Sequence, residues 1–566
     1  MKSTAIFSSK SSCSLFLFPS STLRKHNWLL IYLVLFIGIL LRLPYLNRSL
    51  WYDELWSTSI KLKDPLTLGV TILLDPHPPF YAIFMYAWTS FFGDSEISAR
   101  IPPLIFGISS IFLTYALALK FFNKYTATLA AILLCLSPVH IWYSREARPY
   151  SATLFFVLGL IYSYYRLSHP LRKPQIWFFL YSISILFAIF SHYYITVFLL
   201  LISVIALYQP SAFAKRLIAV NILVLSLFSV FIGLKMTVGR FLTGSGYLRV
   251  FTIQELFSLF FSWFLMGNSL WNNLVGDGSD SAMILNRLLI HCLQIIFFII
   301  FIKGIGSIVK SHEDPPQIHI LLYLFSLPCF LFMLNLGGFQ QSYIERSVFV
   351  VLPFFYLILA NGLTYFRGRL LVVIISFTLV FEVVTLAAFF YKSDQWTVYK
   401  PNPDWRTAAS YFKHELQTII KPAFLFATTK STELTYYDSR FKEFRDEEVN
   451  DFSMRKIDKL ERLLGEESHL SKLLSSQIRK YTALIMEETK NAKIIIYYER
   501  KKEDLEKLLH VYNNEVFYVV HNRYWSEGFD SLMKTITNDF RFNLIDRQSF
   551  QGLEIFKFNA SGAAPQ

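Results

Sequence analysis

Eleven apolar segments punctuate the first 391 residues, at 27–46, 97–121, 125–143, 151–167, 172–190, 193–208, 217–236, 283–303, 317–336, 346–364 and 370–391. An apolar helix needs about 20 residues to cross the hydrocarbon core of a bilayer. Inside lipid every backbone N–H and C=O must be satisfied within the segment, which leaves the helix as the spanning element here. The segments therefore predict a mainly α, polytopic membrane protein of about 11 transmembrane helices over 27–391. Only 17% of residues are charged against 54% hydrophobic, where a soluble protein carries roughly a quarter charged residues.

The net charge of +14 is spread unevenly. Residues 392–566 hold 27 Lys/Arg and 26 Asp/Glu, and the preceding residues hold 27 and 14. The basic excess thus belongs to the apolar region, where flanking Lys/Arg set orientation. No basic stripe with interleaved aromatics points to nucleic acid. One further stretch, Pro78 to Phe92, is apolar and aromatic but short, and whether it spans decides the side of everything after it. With a cytoplasmic tail at 1–26 and 78–92 lying in the interface, the inside segments hold 15 basic residues against two acidic ones, Glu313 and Asp314. If 78–92 spanned, the 11 basic residues from Lys120 onward would fall outside, against the orientation rule. The expectation is a multi-pass plasma (inner) membrane protein. Loops 47–96, 144–150, 237–282 and 337–345 and the C-terminal region then share the extracytoplasmic side. Arg24-Lys25-His26 precedes the first apolar run with no small-residue cleavage site after it, so that run reads as a retained span. The four cysteines, Cys13, Cys135, Cys292 and Cys329, offer no disulfide framework or CxxC metal site and leave the redox compartment open.

Ionisable residues cluster on that shared side. Trp51-Tyr52-Asp53-Glu54 follows the first span. Asp53 and Glu54 are either an ordinary solvated pair within an aromatic belt or carboxylates kept to take a proton from a hydroxyl. Asp75-Pro76-His77-Pro78-Pro79 presents Asp75 and His77 on a proline-stiffened approach to the 78–92 helix. Ser144-Arg145-Glu146-Ala147-Arg148-Pro149-Tyr150 fills a very short turn. Arg145 and Arg148 there run against the orientation bias, so something compensates them: a lipid phosphate, which a guanidinium fork fits, or an internal carboxylate such as Glu146. Ser191-His192-Tyr193-Tyr194 makes another outer turn, and Tyr343-Ile344-Glu345-Arg346 opens a span at its outer end, so His192, Tyr343 and Arg346 join the candidates. Leu256 to Met266 reads as an amphipathic interfacial helix that lines a lipid path or packs.

From Lys392 the composition becomes that of a soluble domain. Asp404 is placed to cap a helix running to about Leu416. Ala423–Thr428, Ala492–Tyr498 and Glu515–His521 are short β-rich runs between helical stretches at 452–487, 501–510 and 526–537, the alternation of an α/β layer structure. Residues 392–566 are therefore expected as an extracytoplasmic α/β domain.

The acidic pair in the first outer loop, Asp-x-His-Pro-Pro at the following helix and Ser-Arg-Glu-Ala-Arg-Pro-Tyr together resemble the GT-C glycosyltransferases. Within that group they are similar to bacterial relatives of protein O-mannosyltransferases and aminoarabinose transferase. Tyr343 to Arg346 and Asp404-Trp405-Arg406 also fit, and the resemblance covers residues 28–410. It implies a GT-C membrane fold, a polyprenyl-phosphate sugar as donor and transfer to an acceptor hydroxyl with inversion. Carried onto this chain, it makes Asp53 the catalytic base with Glu54 beside it. Asp75, His77, Arg145, Arg148, Tyr150, His192, Tyr343 and Arg346 become substrate-binding candidates; the assignment of the arginines to the donor phosphate rests on guanidinium chemistry. The partners implied are the lipid-linked donor, the membrane, and a glycan, lipid or protein acceptor. No cofactor is implied, and metal dependence stays open. The rival function, a transporter or flippase for lipid-linked glycans, needs ionisable groups along a path through the spans, where only Glu382 stands out; a polymer ligase is a further alternative.

Overall fold

A computed structural model of the chain describes residues 25–58, 72, 77–169, 173–208, 212–238, 249–267, 281–311, 317–339, 342–391, 403–415, 423–427, 441–443, 494–498, 517–522, 533, 534, 536, 537, 542–550 and 553–560. Asp75 and the proposed helical stretches 452–487 and 501–510 lie outside these residues.

Each of the eleven expected spans falls on a helix. Among the described residues six helices are long and apolar enough to cross a membrane: Glu96–Phe121, Ala214–Met236, Leu285–Val309, Ile318–Leu336, Glu345–Leu363 and Gly368–Phe390. Shorter apolar helices fall at Lys25–Arg42, Lys124–Leu136, Tyr150–Leu167, Pro174–Ile189 and Ile195–Leu207. The stretch read as too short to span forms the 13-residue helix Phe80–Phe92. At 1.5 Å per residue it is about 20 Å long, short of the ~30 Å hydrocarbon core.

Local chemistry explains two departures from the expected spans. The span drawn at 125–143 is split, because Ser137 leaves the helical region (ψ 118°) and caps a second helix, Pro138–Tyr143, by accepting from His140 N. The span drawn from 346 opens as a 3₁₀ helix, Glu345–Val351, and becomes α only at Leu352. The stretch Leu256 to Met266, read as lining a lipid path or packing, packs: helix Ile253–Ser258 is followed by a π-helix, Leu259–Phe264, whose aromatic side is buried in protein. Phe260 stacks on Phe355 with ring centroids 5.5 Å apart, and Phe261 meets Phe301 edge-on at 5.7 Å.

The C-terminal residues form a six-stranded sheet. We number the strands β1 (Ala423–Ala427), β2 (Phe441–Glu443), β3 (Ile494–Tyr498), β4 (Phe517–Asn522), β5 (Phe542–Phe550) and β6 (Leu553–Ala560). Their order is β2-β3-β1-β4-β6-β5, parallel from β2 to β4 and antiparallel at β6 and β5. β1, β3 and β4 match the three runs read from the sequence. Helix Trp405–Glu415 starts where expected, with Asp404 Oδ1 accepting from Thr407 N at 3.2 Å. Trp405, Ala408, Ala409 and Phe412 pack on Tyr518, Val520, Leu553 and Ile555 of the sheet.

Helix Ser281–Val309 meets helix Leu352–Leu363 backbone to backbone. A Cβ at Gly362 would lie 2.0 Å from the Ile300 carbonyl oxygen, and one at Gly304 would lie 2.2 Å from that of Ile358. Gly362→Ala therefore forces the helices apart, and overpacking of this kind costs roughly 1–3 kcal/mol. Gly306, on the same helix, has no heavy atom within 4 Å of its Cβ position. Melting of the purified protein should show a lowered Tm for Gly362→Ala and an unchanged or slightly raised Tm for Gly306→Ala.

Candidate active site

The loops expected on one side do converge at one end of the helical bundle. Asp53 and Glu54 lie on a short helix, Tyr52–Thr58, where the sequence suggested only a loop. Their side chains part. Asp53 Oδ2 accepts from Arg346 Nη1 at 3.1 Å, joining the first loop to the outer end of a later span. Glu54, 1% exposed, is fully engaged within the protein. Arg100 Nε and Nη2 donate to its two oxygens at 2.8 and 2.5 Å. Ala147 N and Trp51 N donate to them as well, at 3.0 and 3.3 Å. Arg100 also donates to the Leu46, Arg48 and Ser49 carbonyls. Glu54 is thus a strut rather than a second proton acceptor, which corrects its placement among the catalytic candidates.

The turn after helix Pro138–Tyr143 sends its two arginines in different directions. Arg148 Nη1 donates to the Asp53 carbonyl at 3.0 Å and to Ser57 Oγ at 3.3 Å, and its Nη2 lies 2.9 Å from His77 Nε2. Arg145 Nη1 donates to the Pro44 carbonyl at 2.8 Å, and its guanidinium lies over the Phe389 ring at 5.2 Å. It does not pair with Glu146. Burial, with Arg42, Arg100 and Arg48 nearby, pushes the Arg145 guanidinium down to about 9. Glu146 accepts from Trp142 Nε1 at 3.0 Å. Burial first, and the charge of Glu54 second, raise its carboxyl from 4.5 to about 8.

Two cavities flank this group. One, of about 30 Å³, is lined by Tyr45, Arg48, Trp51, Trp142, Arg145 and Glu146. The Glu54–Arg100 pair also forms part of its wall. The other, of about 20 Å³, is lined among others by Ser57, His77, Pro78, Tyr81, Ala82 and Arg148. The remaining candidates are less direct. Tyr150, buried, packs edge-on against Tyr143 at 4.8 Å and lies near Arg346. His192 is held neutral, pushed down to about 3 by burial and then by His77 and Arg346. Tyr343 is buried against Phe251, its backbone exchanging hydrogen bonds with Arg249 at 2.8 and 3.0 Å; it lines neither cavity.

Three participants were not singled out from the sequence. Arg100 reads there as one charge in an apolar helix, yet it neutralises Glu54. Lys235, near the end of helix Ala212–Val238, donates to the His77 carbonyl at 2.7 Å and to Tyr193 Oη at 3.2 Å. Ser49 Oγ donates to Asp404 Oδ1 and accepts from Arg406 N, each at 3.2 Å, and Arg406 pairs with Glu96 at 3.1 Å. Those bonds seat helix Trp405–Glu415 beside the site. A lone charge close to the end of an apolar helix is the signal by which Arg100 and Lys235 could have been found. Among the described residues, no group of three His, Cys, Asp or Glu is arranged to hold a metal ion.

The multi-span bundle with its C-terminal sheet has the GT-C fold. Residues 76–233 match the family described as dolichyl-phosphate-mannose-protein mannosyltransferase. Among solved structures, ArnT from Cupriavidus metallidurans bound to undecaprenyl phosphate aligns over 96% of this chain and 100% of its own, with TM-score 0.52 at 11% identity. Its apo form covers 96% and 99% with TM-score 0.41 at 10% identity. The apo oligosaccharyltransferase of Archaeoglobus fulgidus aligns over 74% of this chain and 64% of its own, with TM-score 0.42 at 12% identity. No curated protein matches the chain.

Two outcomes test the site's construction. The Glu146 carboxyl titrates near 4.5 when unfolded and near 8 when folded. Between those values the folded state holds the extra proton, so this group lowers stability as pH rises through that window. From pH 6 to pH 9 the Tm of the native protein should fall further than that of Glu146→Gln; equal falls would remove Glu146 as the cause. Separately, a Cβ at Gly107 would lie 2.1 Å from Ser144 Oγ and 2.6 Å from its Cβ. Gly107→Ala should displace the Arg145–Arg148 turn and cut turnover at least tenfold, measured against an unchanged Gly233→Ala control, whose Cβ meets nothing within 4 Å.

Proposed function

We propose that the chain moves a sugar from a polyprenyl-phosphate-linked donor to an acceptor hydroxyl, inverting the anomeric centre, on the extracytoplasmic side of the membrane. The observation that carries this reading is the Asp53–Arg346 ion pair, set beside Arg148 and flanked by two cavities. The mannosyltransferase family match over 76–233 and the ArnT structure bound to undecaprenyl phosphate support the donor class. The 15-to-2 basic excess on the opposite side supports the orientation, and on this reading helix Trp405–Glu415, tied to Ser49 and Glu96, belongs to an extracytoplasmic domain.

Asp53 is the base. As the acceptor oxygen attacks the anomeric carbon, its proton passes to the Asp53 carboxylate. The bond from that carbon to the phosphate oxygen breaks, and polyprenyl phosphate leaves with the electron pair. A single displacement of this kind inverts the centre. A positioned base contributes roughly 10²–10⁴-fold. Arg346 orients the carboxylate. Arg148 and His77, facing the second cavity, meet the charge that grows on the departing phosphate, and Lys235 holds the His77 backbone in place. No nucleotide is required at this face, because the lipid phosphate is itself the leaving group.

Asp53→Asn should abolish transfer from a radiolabelled undecaprenyl-phosphate sugar while the Tm stays near that of the native protein. Glu54→Gln should behave differently. It strands Arg100, and removing one partner of a buried pair costs about 3–5 kcal/mol, so its Tm drops. Turnover of Asp53→Asn within a few-fold of the native rate would overturn the assignment.

A further inference from the structure

At the end of the bundle away from Asp53, a pair of cations stands outside the mechanism above. Lys120 lies 20 positions beyond Arg100 on helix Glu96–Phe121, about 30 Å at 1.5 Å per residue, which is the thickness of the hydrocarbon core. Arg166 occupies the matching place in the last turn of helix Tyr150–Leu167. The rings of the adjoining residues, Phe121 and Tyr165, meet edge-on at 4.7 Å, so the two cations are neighbours and lie within each other's field. Between Glu96 and Glu255 the sequence holds one acidic residue, Glu146, and that one belongs to the opposite end. Among the described residues no carboxylate pairs with Lys120 or Arg166.

The pair is built into packed structure rather than carried on a loop. The Arg166 guanidinium lies over the Trp177 ring, 4.9 Å from its centroid. Trp177 is 8% exposed and is braced edge-on by Tyr162 at 5.7 Å. Arg166 Nε is buried with no hydrogen-bond partner, and a charged donor in that condition is costly. A guanidinium stacked on a ring keeps its N–H donors in its own plane, where they fit phosphate oxygens. The Tyr165 hydroxyl lies 2.6 Å from His319 Nδ1, and Gln317 Nε2 donates to the Phe121 carbonyl at 2.7 Å. Both helix ends are thereby fixed against the start of helix Ile318–Leu336, and packing sets the spacing of the two cations.

We infer that this cluster binds the headgroup phosphate of an anionic phospholipid, in the leaflet opposite the candidate active site. The depth is that of a headgroup, and basic pockets between spans are where such headgroups lodge. Two cations without a carboxylate select a lipid of net negative charge, because a zwitterionic headgroup brings a cation of its own into the field of Lys120 and Arg166. Ile176 and Phe179, on the helix that carries Trp177, are 46% and 61% exposed and offer an apolar surface to the acyl chain. The inference stands apart from the transferase reading.

The test measures lipid binding to the full chain, purified in detergent, by native mass spectrometry. Three probes are compared: phosphatidylglycerol, phosphatidylcholine and water-soluble glycerol 1-phosphate. The native protein should hold phosphatidylglycerol at least tenfold more tightly than phosphatidylcholine. Arg166→Gln should weaken phosphatidylglycerol at least fivefold, and Arg166→Lys by less. Lys215→Gln, which removes an exposed charge at the same end of the bundle, should leave binding unchanged. If Arg166→Gln does not fold, Lys120→Gln carries the same comparison. Equal weakening by Lys215→Gln would overturn the site in favour of diffuse attraction to a basic surface. Equal retention of phosphatidylcholine would overturn the selection by charge. Displacement of phosphatidylglycerol by an equal concentration of glycerol 1-phosphate would overturn the lipid in favour of a soluble anion.

Discussion

Taking a carboxylate out of water costs several kcal/mol, a cost met only when every lone pair finds a donor. Glu54 achieves this with one guanidinium and two backbone amides, and those donors come from separate parts of the chain. Arg100 arrives from the first turns of the Glu96–Phe121 helix, and Ala147 from the turn after Tyr143. Arg100 in turn gathers the carbonyls of Leu46, Arg48 and Ser49. The first loop is therefore locked to two others before any substrate arrives. Asp53 inherits its position from that lock, since it is the next residue on the same short helix. The Asp53 carboxylate is placed by an immobile neighbour.

The arginines of the turn are oriented by several kinds of partner. Arg145 is held by a carbonyl and by aromatic faces, and Arg148 meets a carbonyl, a hydroxyl and an imidazole. Arg346 pairs with the Asp53 carboxylate. Arg145 and Arg148 are three positions apart in one short turn, yet they line different cavities.

Much of the framework was legible because its physics is local. Length and hydropathy alone located the helices, and Asp404 announced its helix by a cap that the fold uses. The three parallel strands stood out as apolar β-rich runs, while β5 and β6 alternate with polar residues and were passed over. Asp53 was legible as a charge in an expensive place. Arg100 and Lys235 were not, because their importance comes from partners 46 and 158 positions away. Glu54 was read as Asp53's twin for the same reason: adjacency in sequence says nothing of which side chain a distant guanidinium will claim. The stretch Leu256 to Met266 could be read as a lipid path or as packing, because a surface in lipid and a surface in protein demand the same residues.

The close approach of Gly304 and Gly362 has a mechanical meaning for a protein that must admit a long lipid. Where carbonyl and Cα surfaces touch directly, no layer of side chains remains to slide or repack. Helices Ser281–Val309 and Leu352–Leu363 therefore behave as one beam. The Ala214–Met236 and Gly368–Phe390 helices are different, with only 22% and 28% of their apolar windows buried inside the protein. They lean on lipid for most of their surface. Breathing of the bundle is consequently borne by its rim, and the end that carries Lys235 belongs to a compliant helix rather than to the beam.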